Sequence, residues 1–110
     1  MSQGEIWQAD LNPYKGSEQG GFRPVVILSG NLLNRYLPVV ITAPLTTKIK
    51  KYKGNPILKP SETNGLNNES ELLVFQICSI SKDRLVKKIG TIKHEELELA
   101  INTLNDLLKY

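Results

Sequence analysis

Apolar and polar residues alternate through Ile6-Trp7-Gln8-Ala9-Asp10-Leu11, which sets Trp7, Ala9 and Leu11 on one face and predicts a strand. Asn12-Pro13 closes it with a turn signal, and residues 14–22 form a long glycine-rich loop. Arg23-Pro24 then opens Val25-Val26-Ile27-Leu28, an unbroken apolar run whose β-branched members favour a buried strand. Ser29-Gly30-Asn31 ends it. A third strand is expected from Leu37 to Leu45, stopping near Pro44 because proline has no N–H for a sheet ladder. The polar stretch Thr46 to Lys53 holds four lysines. Pro56-Ile57-Leu58 predicts a short strand, and Pro60 to Asn68 a turn-rich loop. Leu72 to Ile80 reads as a fifth strand with Leu73, Phe75 and Ile77 on one face.

Ser81 to Leu85 predicts one helical turn, and Leu85 to Thr91 a last short strand. From about His94 to Leu108 the period changes. Leu97, Ile101, Leu104 and Leu108 step by four, three and four, a helical stripe flanked by Ala100 and Leu107, with Glu95, Glu98, Asn102 and Asp106 opposite. Five or six short strands and one packing helix make a small, mainly antiparallel, barrel-like α+β domain. Strands and helices do not alternate, which argues against a doubly wound parallel sheet.

The chain has 110 residues, of which 40% are hydrophobic and 23% charged, a composition for one globular domain over 1–110. A single cysteine, Cys78, excludes an intrachain disulfide framework and a cysteine-based zinc site. The one histidine, His94, lies at a helix start among glutamates, where a surface role is expected, and the acids are scattered; no metal or other cofactor is expected. One histidine and no Gly-x-Ser-x-Gly elbow also leave no nucleophilic triad, and there is no phosphate-binding Gly-Lys-Ser/Thr loop. No apolar run approaches the ~18–20 residues of a membrane span, and the first residues carry no leader pattern, so a soluble, cytoplasmic protein is expected.

Net charge is +3, unevenly spread. Residues 94–110 carry four acids against Lys109, whereas the first 93 residues carry thirteen basic and seven acidic groups. A basic body suits a polyanion, or an acidic protein that mimics one. Three segments could serve it. In Gly16 to Pro24, glycines let backbone approach a ligand, and Pro24 holds Arg23 extended at the rim of a buried strand, where a guanidinium can grip a phosphate; on the residues alone a plain hairpin loop with a surface arginine is the favoured reading. In Ala43 to Lys48, Thr46 and Thr47 place two hydroxyls before a lysine run, donors suited to a phosphodiester, or to a solvated loop. Gln76, the one amide in an apolar strand, either reads a base edge or satisfies a buried backbone group, the second being favoured.

These segments resemble the MazF/PemK-like toxins of bacterial toxin–antitoxin pairs. The likeness runs through Gly4-Glu5-Ile6-Trp7, Asp10-Leu11-Asn12-Pro13, Gly16-Ser17-Glu18-Gln19-Gly20 and Arg23 to Ser29, then Ala43 to Lys48, Gly65-Leu66, Gln76-Ile77, Lys82 to Leu85 and Lys88 to Gly90. It implies an SH3-like barrel with a C-terminal helix, working as a homodimer. The implied activity is endoribonuclease cleavage of single-stranded messenger RNA at short sequences, independent of metal and ribosome. The implied partner is an antitoxin whose acidic, flexible tail covers the RNA groove. By position, Arg23 and Thr46 match the family's catalytic pair. Ser17, Glu18 and Gln19 fall in the loop that closes over RNA, with Thr47, Lys48 and Gln76 as further substrate contacts. Phe75 and Cys78 depart from the pattern, standing where members often have an acid and an arginine. The alternatives are a same-fold toxin directed at a protein such as DNA gyrase, and a non-catalytic RNA-binding barrel.

Overall fold

The computed structural model describes residues 1–12 and 21–109. Seven strands, β1 (Glu5–Asp10), β2 (Phe22–Ile27), β3 (Val39–Thr46), β4 (Ile57–Leu58), β5 (Ser70–Leu72), β6 (Cys78–Ser81) and β7 (Leu85–Thr91), are joined by antiparallel pairs in the order β4-β5-β3-β2-β1-β7, with β6 also on β3. The sheet curls into a half-barrel with a C-terminal helix α2 (His94–Leu107), as expected for the fold class. A short helix α1 (Asn31–Tyr36), which the apolar pattern did not reveal, links β2 to β3.

Alternation along the strands feeds two apolar clusters, one on each face of the sheet. Ile6, Val26, Ala43, Leu45, Leu72 and Val74 form the larger, capped by Ala100 with Leu97, Ile101 and Leu104 of α2. Ala9, Val25, Ile27, Val40, Ile80 and Leu85, with Trp7 beside them, form the smaller. The continuous Val25 to Leu28 run follows from this: a strand buried on both faces has no polar side. Leu11 lies beyond β1 and is exposed, as are Leu107 and Leu108 at the end of the helical stripe.

Two strand expectations are corrected by one residue. Pro44 does not end β3, which runs on to Thr46. It breaks the neighbouring strand instead. Leu73 donates its N–H to the Pro44 carbonyl at 2.9 Å, but Pro44 has no N–H to return, and the Leu73 carbonyl accepts from Gln76 N–H at 3.0 Å. That bond closes a 3-10 turn over Val74–Gln76. The single strand expected from Leu72 to Ile80 is therefore β5, a turn and β6 along the same edge of β3. The register slips by three residues between Leu45↔Leu72 and Thr42↔Cys78, the length of the turn.

Candidate nucleic-acid interface

Arg23 lies inside β2, half-buried and opposite Ala9 of β1. The ladder of β2 on β3 pairs Val25 with Pro44. Two residues further out along both strands, Arg23 comes level with Thr46, the half-buried last residue of β3. Strand alternation sets both on the face of the smaller cluster, with Ala9, Val25 and Val40. The Thr46 hydroxyl oxygen accepts the Lys48 N–H at 3.1 Å, which turns the chain out of the sheet and leaves the hydroxyl hydrogen to donate. Thr47 and Lys48 are exposed.

A groove of about 530 Å³ lies on the other face, lined by Gln8, Pro24, Thr47, Ser70, Lys87 and Lys88 among others. Pro24 and Gln8 are register partners and alternate with Arg23 and Ala9. The groove therefore meets Thr47 but does not contain the Arg23–Thr46 pair. Lys88 is ion-paired with Glu5 at 3.2 Å. Burial pushes the Glu5 carboxyl up, but Ser2 N–H, the Trp7 indole and Lys88 outweigh it and hold the pKa below the ordinary value.

Gln76 is corrected. The 3-10 turn lifts it out of the sheet, so its side chain is exposed and is not a buried backbone partner. Phe75 is exposed beside it, and Cys78 is an exposed free thiol on β6, opposite Thr42. Ser17, Glu18 and Gln19 lie outside the described residues. What is described is the root of their segment: the Asn12 side chain accepts Gly21 N–H at 2.9 Å, and Leu11 N–H reaches the Gly21 carbonyl at 2.9 Å. Arg84 braces it by donating to the carbonyls of Asn12 at 2.6 Å and Asp10 at 3.3 Å.

Sequence reasoning missed Glu71. It is fully buried, yet both carboxylate oxygens are used. Oε1 accepts the N–H groups of Lys50 at 2.8 Å and Lys51 at 2.9 Å, and Oε2 those of Tyr52 at 2.9 Å and the Asn55 amide at 3.0 Å. Burial raises the Glu71 pKa, and these four donors more than offset it, leaving it below the usual carboxylate value. The Asn55 side-chain oxygen accepts Val74 N–H at 3.2 Å, tying the lysine loop to the 3-10 turn. The available signal was an acid set directly before two leucines in an apolar stretch. Among the described residues, no group of three or more His, Cys, Asp or Glu converges as a metal site would require.

Residues 2–108 match the model of the family described as PemK-like, MazF-like toxin of type II toxin–antitoxin system. The chain is 35% identical over 106 residues to Endoribonuclease MazF of Staphylococcus saprophyticus, covering 96% of this chain and 88% of the relative. Its fold matches MazF from Deinococcus radiodurans with a TM-score of 0.78 at 23% identity, over 98% of this chain and 96% of that one. It also matches an endoribonuclease in complex with its cognate antitoxin from a mycobacterial species, with a TM-score of 0.77 at 21% identity, over 100% and 98%. With a family model spanning residues 2–108 and a relative 35% identical over 96% of the chain, the chain belongs to the PemK-like, MazF-like toxins of type II toxin–antitoxin systems.

Proposed function

We propose that this toxin is a single-domain cytoplasmic endoribonuclease that cuts single-stranded messenger RNA without metal or ribosome. The observation that carries the proposal is the register of Arg23 level with Thr46 on one face of the sheet, at the mouth of a lysine-rich loop. RNA supplies its own nucleophile. The 2′-OH attacks the adjacent phosphorus, the P–O5′ bond breaks, and the products carry a 2′,3′-cyclic phosphate and a 5′-OH. Arg23 stabilises charge on the phosphorane oxygens, since a guanidinium offers several fixed donors and is a poor base. Thr46 donates its hydroxyl hydrogen to align the phosphate or the attacking oxygen. Thr47, Lys48 and the exposed Gln76 bind the strand beside this pair, with Ser17, Glu18 and Gln19 as further substrate contacts and Glu18 as the candidate for the general base.

The partners we propose are an antitoxin with an acidic, flexible tail and a second copy of the chain. A relative of this fold is described in complex with its cognate antitoxin, and the exposed run Lys48, Lys50, Lys51 and Lys53 offers charge for such a tail. Support for self-association comes from α1, which exposes Leu32, Leu33 and Tyr36, followed by the exposed Leu37 at its end. The test of the activity is cleavage of a long mixed-sequence RNA in excess EDTA by wild type and Arg23→Ala. Discrete cuts with 5′-OH ends, lost in the variant, are expected. Intact RNA from folded wild-type protein overturns the proposal and moves a protein target or a non-catalytic barrel to the front.

A further inference from the structure

Tyr52 and Phe75 sit edge to face, with ring centroids 5.4 Å apart and planes at 80°, and each is about half exposed, at 51% and 48%. They come from separate segments, one from the lysine loop and one from the 3-10 turn that Pro44 imposes. The backbones of both segments are tied to the same buried carboxylate. Glu71 holds Tyr52 by its backbone N–H and holds Asn55, which in turn holds Val74, the residue before Phe75. Lys51 and Lys53 flank Tyr52 in the chain and, with Lys50, are exposed, and Gln76 follows Phe75 in the turn.

From this arrangement we propose that Tyr52 and Phe75 form a stacking platform for one unpaired base of the RNA substrate, with the surrounding lysines on its flanking phosphates; this rests on the ribonuclease proposal and names an element of its specificity. An aromatic face in water is an incomplete contact, and an unstacked base completes it in single-stranded RNA. Edge-to-face packing holds each ring in place while leaving ring surface open. Rings already packed on each other before binding lose less side-chain freedom when the base arrives. The lysines favour a polyanion over an apolar protein surface at this place.

The test uses the full chain and a mixed-sequence single-stranded RNA bearing 2′-O-methyl groups throughout, which has no free 2′-OH nucleophile. Affinity is measured for wild type, Y52A, F75A and F75Y, with melting curves to show that each is folded. In parallel, each is assayed on the natural RNA in EDTA and its cut sites are mapped. F75A is expected to weaken binding roughly 5- to 150-fold, the range for loss of one stacked base. It should raise KM with kcat little changed and relax base preference at one position of the cut site, and F75Y should restore all three. Wild-type affinity in F75A, or a loss that F75Y does not restore, overturns the platform. Wild-type protein that binds the inert RNA through Phe75 but cuts nothing overturns the ribonuclease proposal alone and leaves the platform standing.

Discussion

Lys51 donates its backbone N–H to Glu71 at 2.9 Å from a left-handed backbone conformation, φ 57°, which it alone adopts among the described non-glycine residues. The conformation is costly for a residue with a Cβ, and it persists because three successive N–H groups, 50 to 52, converge on one carboxylate. Replacing Glu71 by alanine leaves those donors without their acceptor and should cost on the order of 3 kcal/mol. Glu71→Gln should cost nearly as much, because one end of its amide would present hydrogens to two donors. Chemical denaturation of both variants checks this; a glutamine variant as stable as wild type would show that the charge is not what holds the loop.

Acid sensitivity follows from the same carboxylate. Glu71 has a folded pKa below its ordinary value, despite burial, because of its hydrogen bonds, and Glu5 is likewise lowered, against its own burial, by Ser2, Trp7 and Lys88. A lowered folded pKa means stabilisation that is complete above the ordinary carboxylate range and is lost as pH falls through the folded value. Melting temperature should therefore be flat from neutral pH down to the carboxylate range and drop below it. In Glu71→Gln the acid-side drop should be shallower; an unchanged profile would remove Glu71 as its source.

Arg23→Ala should lower the RNA cleavage rate by ~100–1,000-fold, the usual cost of losing one charge-stabilising donor. Arg23→Lys should recover little, since an ammonium cannot match the planar guanidinium fork. Thr46→Val keeps the shape of the side chain and removes its hydrogen-bonding oxygen, so it should reduce kcat while leaving RNA affinity near wild type. Single-turnover kinetics separate these effects, and full activity in either alanine or valine variant contradicts the roles assigned.

The exposed side chains of α1 give a prediction for assembly. Leu33→Glu places a charge in the patch of Leu32, Tyr36 and Leu37 and should shift the chain from dimer to monomer in sedimentation experiments. Because Leu33 is about half exposed, melting of the monomer itself should change little. A wild-type chain that sediments as a monomer, or a variant that remains dimeric, rejects this face as the contact.

Gly90→Ala should destabilise the fold by about 1–3 kcal/mol, as overpacking does. A Cβ there would meet the Asn64 carbonyl group at 2.4 Å and the Thr63 oxygen at 2.5 Å, all backbone. The Asn64 loop cannot yield easily, since Asn64 is itself bonded to Ser61, Lys59 and Leu66. Thermal melting checks the effect.

The sequence alone carried the period of each element with enough neighbours to define it. The helix start at His94 stands where the apolar spacing put it, because many positions report one periodicity, and the strand from Leu85 to Thr91 also stands where it was expected. The long run of family-like segments also sufficed for the half-barrel and the toxin family, since its blocks occur in order along almost the whole chain.

Three features were decided only in three dimensions. Pro44 was expected to end its own strand, but whether a missing N–H matters depends on which neighbour would have received it; the partner strand broke instead and brought Phe75 and Gln76 to the surface. Glu71 looks like any surface acid until the fold turns residues 50–52 over it, because backbone donors leave no mark in a side-chain pattern. Arg23 and Thr46 are 23 residues apart in the chain, and their shared face is a consequence of strand register, which long-range pairing sets. Local periodicity is written residue by residue, whereas the site is made of contacts between segments that the chain keeps far apart.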